Sequence, residues 1–140
     1  MSLPIPRPLL AAALLALAAP ASGQETLAPE DFLGLARGKT LTYVDPGDGR
    51  LIGVEHFLPG GRTVWLRADG RCAHGTVTVE GPEICYRYDD QEAGAAPHCW
   101  WPLREEGRLY VQVADAAREE RQRITAITDE PLSCEAAPVA

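Results

Sequence analysis

The chain lacks the sequence patterns of the common hydrolases, since neither G-x-S-x-G nor H-E-x-x-H occurs in its 140 residues. Serine is scarce, and Ser133 is the only one beyond the N-terminal region. Three histidines, His56, His74 and His98, are candidate general bases. Glu55 neighbours His56, but adjacent residues of a strand face apart. The sequence therefore favours a protein that is not an enzyme, and no cofactor is predicted.

Basic residues are also few. The 13 Lys and Arg residues are outnumbered by 20 Asp and Glu, which leaves a formal net charge of −7. An acidic surface repels phosphate backbones, and the sequence contains no basic patch with interleaved aromatic residues. Nucleic acid is therefore not expected as a partner.

No apolar run is long enough to span a bilayer, which takes roughly 20 residues. The longest run, residues 9–19, follows the single early positive charge at Arg7 and precedes a group of small residues. This pattern predicts a signal peptide at 1–23, with cleavage after Ala21 or Gly23, and an N-terminal membrane anchor is the alternative. We expect a periplasmic or secreted protein with no membrane span after cleavage.

The chain has four cysteines, Cys72, Cys85, Cys99 and Cys134, and an even number in an exported protein predicts two disulfides. Three connectivities are possible. Cys85–Cys99 is favoured because both residues lie near the ends of two strands joined by a loop, where cross-strand partners come close. That choice leaves Cys72–Cys134 as the second pair.

Zinc binding is the competing interpretation of the cysteines. The pairs Cys72-x-His74 and His98-Cys99 supply ligands of the right type, but neither has the spacing of structural zinc sites. Adjacent residues on a strand also point to opposite faces, so His98 and Cys99 could hardly bind one ion together. No metal site is predicted.

The remaining pattern is one of short strands separated by Gly, Pro and Asp. We predict about eight of them, at 39–44, 50–58, 62–67, 71–79, 84–88, 98–103, 108–113 and 123–128. Such regular spacing is typical of a small antiparallel meander barrel, so the predicted fold class is all-β. Within it, 24–38 is the N-terminal helical segment, 39–134 the barrel-like domain and 135–140 a flexible tail.

The N-terminal segment is predicted to form a short helix over 25–37. Pro29 and two acids that follow it suit the first turn of a helix, and Gly38 suits its end. An apolar stripe is expected at Phe32, Leu33, Leu35 and Ala36. This helix should plug or flank the barrel.

A Cys85–Cys99 disulfide would also fix which side chains face the interior. If the two cysteines share one face, period-two alternation places Arg87 and Trp101 on that face. The opposite face then carries four amphipathic rings, which are the candidate ligand-binding residues: Tyr86, Tyr88, His98 and Trp100. Filling a small core is the alternative role for these rings. Trp101 is the candidate partner contact, because tryptophan is enriched at interface hot spots.

The stretch from Gly75 to Tyr88, with His98-Cys99-Trp100 after it, resembles a pattern in small exported proteins of alphaproteobacteria, in which a Cys-Tyr strand pairs with a second Cys strand. The strand count is similar to that of lipocalin-type barrels and of small bacterial inhibitors of metalloproteases. The chain departs from the lipocalin pattern at 38–40, where Gly-Lys-Thr stands in place of Gly-x-Trp. The resemblance implies an exported barrel, and a fold alone implies no particular function.

Together these observations predict an exported, non-catalytic binding protein. Its partner would be a small apolar molecule or an envelope protein. An inhibitor of a secreted protease and a structural envelope protein are the alternatives.

Overall fold

The computed structural model describes residues 1–5 and 23–135. The predicted signal peptide falls mainly on residues 6–22, and the predicted tail mainly on 136–140, which lie outside the described residues. The described elements are β1 (Glu25–Thr26), α1 (Pro29–Ala36), β2 (Thr40–Val44), β3 (Leu51–Leu58), β4 (Arg62–Arg67), β5 (Cys72–Glu80), β6 (Glu83–Tyr88), β7 (His98–Glu105), β8 (Arg108–Val113) and β9 (Arg121–Thr128).

Strands β2 to β9 form a closed antiparallel barrel. Each strand pairs with the next along the chain, and β9 pairs with β2 to close the sheet. The predicted all-β meander barrel of eight strands with a short N-terminal helix is confirmed. The ninth strand, β1, was not predicted, because two residues are too few to show a period. It pairs with β7 at Leu103 and Arg104.

Side chains alternate between the interior and the surface along the barrel strands, as expected for a sheet with one buried face. On β3, Gly53, Glu55 and Phe57 point inward and are buried. The strand ends at a tight turn in which Gly60 and Gly61 both have positive φ, 76° and 70°. Two successive positive φ angles are typical of the hairpin turn that matches the twist of the sheet.

The helix α1 closes one end of the barrel. Its first turn contains Pro29 and the acids that favour a helix N-terminus, as predicted. Phe32 is fully buried and meets Phe57 edge to face, with ring centroids 6.4 Å apart. The helix begins at Pro29 rather than Glu25, and Leu35 is 41% exposed, so its predicted place in the apolar stripe was wrong. No helix in the described ranges has the length and apolar character needed to cross a bilayer.

Both predicted disulfides are present. Cys85 and Cys99 are directly opposite one another on β6 and β7, which is why cross-strand reasoning found them. Cys72–Cys134 ties β5 to the chain that follows β9, and its Cα atoms are 5.5 Å apart. Two disulfides fit an oxidising compartment.

The segment 129–134, which we call the C-terminal strap, runs from the end of β9 to Cys134. The Thr40 hydroxyl donates a hydrogen bond to the Glu130 carbonyl and accepts one from His56 Nδ1 at 2.7 Å. Thr40, His56 and Val64 lie on the outer face of the barrel, since their strand neighbours face inward, yet all three are buried. The strap therefore acts as a cover for the outside of β2 to β4.

Candidate ligand-binding cavity

A cavity of about 210 Å³ lies inside the barrel, at the end away from α1. Phe57 on β3 contacts α1 at one end of the barrel, and the cavity begins two residues away, at Glu55. Seven of the eight barrel strands contribute to its walls, which consist of Tyr43, Glu55, Trp65, Arg67, Tyr86, Tyr88, His98, Trp100, Val111 and Gln122. Tyr86 and Val111 are buried, whereas His98 is exposed, so the cavity extends from the core to the surface.

The structure brings the four candidate ligand-binding residues to this one cavity. Tyr86 and Tyr88 are stacked, with ring centroids 6.1 Å apart and planes 5° from parallel, and His98 lies 6.2 Å from Tyr88. Trp100 completes the group on β7. The Cys85–Cys99 disulfide fixes which residues of β6 and β7 share a face, so the inward-facing residues could be predicted from the sequence.

Trp101 lies on the opposite face of β7 from Trp100. It is half-buried beside Pro82, Leu103 and Gln112 in a surface groove. Its role as a partner contact stays a prediction.

Two glycines on the barrel strands make room for the aromatic walls. A Cβ on Gly75 would lie 2.7 Å from Tyr88 Cδ1 and 2.8 Å from Thr63 Oγ1. A Cβ on Gly53 would lie 2.4 Å from the Trp65 ring, which in turn meets Tyr43 edge to face at 5.7 Å. Both glycines are thus required by close approach of neighbouring rings, and each positions one ring of the cavity wall.

Gly75→Ala should destabilise the protein by about 1–3 kcal/mol, because Tyr88 or the backbone must shift to admit the new methyl group. The free energy of unfolding from urea titration checks this. The matched control is Gly34→Ala in α1, where nothing lies within 4 Å of the added Cβ. That control should gain about 0.5–1 kcal/mol, because alanine favours a helix. Equal stability of the two variants would contradict the steric role of Gly75.

Glu55 is the carboxyl that lines the cavity, and it is only 4% exposed. The Tyr88 hydroxyl donates to both of its carboxylate oxygens, at 2.9 and 3.0 Å. Burial raises the pKa of Glu55 to about 8, against the lowering influence of Tyr88, Thr63 and Arg67. The Thr63 hydroxyl faces the carboxylate without a well-formed hydrogen bond and is itself buried. At neutral pH the carboxyl is therefore mostly protonated.

The tyrosines around Glu55 remain neutral as well. Burial, followed by the charge of Glu55, raises the pKa of Tyr88, and the same two causes raise that of Tyr43. The pKa of Tyr86 is raised by burial first and then by Tyr43. Apart from Arg67, the groups around Glu55 are thus neutral, hydrogen-bonding and largely aromatic at physiological pH.

Five polar or aromatic residues of the cavity walls were not predicted as site residues: Tyr43, Glu55, Trp65, Arg67 and Gln122. Tyr43, Arg67 and Gln122 each lie on a strand whose inward face the sequence did not fix. Glu55 was considered as an acid beside His56, and the rule that neighbours face apart does separate them: Glu55 faces the cavity and His56 lies under the strap. The signal that could have found Glu55 is its position two residues before Phe57, on the inward face of β3.

The zinc interpretation does not fit the structure. All four cysteines are disulfide-bonded, so none is free to bind a metal ion. His98 lines the cavity while Cys99 points to the other face, as alternation requires. His74 is exposed on β5 and lies 3.6 Å from Asp89.

Comparison with protein-family models, with curated proteins and with solved structures gives no match. The interpretation of the cavity therefore rests on its own geometry.

Proposed function

We propose that this protein is an exported, non-catalytic binding protein that holds a small, largely apolar molecule in the barrel cavity, in the bacterial periplasm or outside the cell. One observation carries the proposal: five of the nine Phe, Tyr and Trp residues of the chain surround a single cavity that reaches the surface. Aromatic walls with a few polar groups are typical of small-molecule sites.

Two inward-facing glycines favour an open cavity over a filled core at the end of the barrel away from α1. Gly53 and Gly75 let the Trp65 and Tyr88 rings pack against the backbone of the barrel wall, so that these rings line the interior of the eight-stranded barrel. A cavity of about 150 Å³ in an engineered protein is large enough for benzene. A cavity of about 210 Å³ therefore suits one aromatic ring with a short side chain, or a small bicyclic molecule.

The other candidate functions have less support. A protein partner, including a secreted protease, would need an exposed anchor, and Trp101 is half-buried. A structural envelope role remains a prediction from the sequence, and so does the signal peptide.

Indole and 2-phenylethanol test the proposal, because both are neutral and of the right size. Isothermal titration calorimetry should give one site per chain, with dissociation constants on the order of 0.1 mM. Trp100→Ala should weaken both probes about tenfold, since it removes one wall of the cavity.

The matched control is Trp101→Ala, which removes the same side chain from the outer face of the same strand. It should leave both affinities unchanged. Absence of binding by the wild-type protein, or equal weakening in the two variants, would contradict a binding site inside the barrel.

A further inference from the structure

Among the described residues, no cationic side chain forms a hydrogen bond or ion pair with the buried carboxyl of Glu55. Buried ionisable groups are normally paired, because an isolated charge in an apolar interior is strongly disfavoured. Arg67 lies close enough to influence Glu55, but its Nη1 donates to Asp90 at 2.8 Å. Tyr88 occupies one direction around the carboxyl, and the buried Thr63 hydroxyl beside it has no hydrogen-bond partner. The remaining acceptor positions of Glu55 face the cavity.

The groups around this carboxyl are those that favour a positive charge. Five aromatic rings line the cavity, at Tyr43, Trp65, Tyr86, Tyr88 and Trp100. The face of an aromatic ring is electronegative, and a cation within about 6 Å of its centroid is attracted to it, more strongly when water is excluded. A carboxyl surrounded by aromatic side chains therefore favours binding of a cation.

We propose that the cavity binds a small organic ammonium ion, an arylalkylamine in size and shape, whose ammonium group contacts Glu55 while its ring packs against the aromatic walls. This inference rests on the proposed function and names the chemical class of the ligand. The size of the cavity allows one ring and a short amine-bearing chain, which together extend from Glu55 at the inner end toward the surface.

An anionic ligand is the opposite possibility, since Arg67 also lines the cavity. Its charge is already opposed by Asp90, whereas no cation is bonded to Glu55. The charged and titratable groups that face Glu55 are Tyr43 on β2, Arg67 on β4, and Tyr86 and Tyr88 on β6. Of these only Arg67 is charged at neutral pH, and Glu55 is the one carboxyl among the described residues that line the cavity.

Binding of the ammonium ion would ionise Glu55. The carboxyl is mostly protonated in the free protein at pH 7, because its pKa is about 8. The incoming ammonium keeps its own protons, and Glu55 releases its proton to solvent as the ion pair forms, so close to one proton leaves per ligand bound. The affinity for the amine should rise roughly tenfold between pH 6.5 and 7.5, since ionisation of Glu55 then costs less.

Three probes of one size and different charge test the inference on the wild-type protein: 2-phenylethylamine, 2-phenylethanol and 3-phenylpropanoate. At pH 7.5 we expect the amine to bind roughly tenfold to a hundredfold more tightly than the alcohol, and the carboxylate to bind more weakly than both. Calorimetry in phosphate and Tris buffers measures the released proton, because the two buffers differ in ionisation enthalpy. An amine that binds no more tightly than the alcohol, or a carboxylate that binds best, would overturn the inference.

Glu55→Gln keeps the shape of the side chain and removes its charge. It should reduce the preference for amine over alcohol to about one and abolish proton release. Glu83→Gln on β6, outside the residues that line the cavity, is the matched control and should retain both. If the alcohol binds and the amine shows no preference, the cavity is a ligand site but not for amines. If none of the three probes binds, the proposed function itself fails.

Discussion

Replacing Cys72 and Cys134 together by alanine is expected to lower the free energy of unfolding by about 4 kcal/mol. The disulfide closes a loop of 62 residues, and the chain-entropy model assigns about that much to a loop of this length. Since whole domains are stable by only about 5–15 kcal/mol, this loss would be a large fraction of the total. Urea unfolding under oxidising conditions measures it.

The Cys85→Ala and Cys99→Ala double variant is the control. Its loop is 14 residues, so the expected loss is about 3 kcal/mol. Only loss of Cys72–Cys134 should also release the strap, so deuterium uptake should rise in peptides that cover 129–134 and in β2 beneath them. Unchanged uptake there, or a smaller loss of stability than in the control, would contradict the role assigned to the strap.

Stability is also expected to fall as the pH rises from 5 to 8.5, by about 4 kcal/mol through Glu55 alone. The pKa of Glu55 is about 8 in the folded protein, whereas that of an exposed glutamate carboxyl is 4.5. Below pH 4.5 both states hold the proton. Between the two pKa values the Glu55 carboxyl is protonated in the folded state and ionised in the unfolded state, so each pH unit lowers the free energy of unfolding by about 1.4 kcal/mol. Above pH 8 the full stabilisation has been lost.

Glu55→Gln isolates this effect from all other titrations. The variant should gain stability relative to wild type as the pH rises, whereas Glu83→Gln should follow wild type throughout. Urea unfolding at pH 5, 6.5 and 8.5 gives the three differences. A stability difference between Glu55→Gln and wild type that does not vary with pH would show that Glu55 ionises as easily in the folded state as in the unfolded one.

Much of the fold could be predicted from the sequence, because the alternation of apolar residues and the positions of turn-forming residues indicate the same strands. Most of the barrel strands have alternating or apolar runs bounded by Gly, Pro or Asp. The inward face of β6 and β7 could also be predicted, since the Cys85–Cys99 pair fixes the outer face of both strands. The sequence therefore predicted that Tyr86, Tyr88 and Trp100 would share a face.

The rest of the cavity could not be predicted for reasons specific to its residues. Val64, Trp65 and Leu66 are all apolar, so alternation does not show which face of β4 is buried, and the structure turns Trp65 inward. Arg67 stands beside a turn, where an arginine usually faces solvent. A buried acid such as Glu55 breaks the polar-out rule, and such exceptions are expected at functional sites.

The short strand β1 has a consequence for how molecules of this protein meet one another. Strand β7 runs past the end of β6. From Pro102 onward, the backbone edge of β7 that faces β6 therefore has no partner among the barrel strands. Glu25 and Thr26 pair there, and the Leu27 amide bonds the Pro102 carbonyl at 3.0 Å. Unpaired backbone at such a gap is a template for a strand from another chain. Two residues thus cover the part of β7 that extends beyond β6, and they protect this edge from pairing with a strand of another molecule.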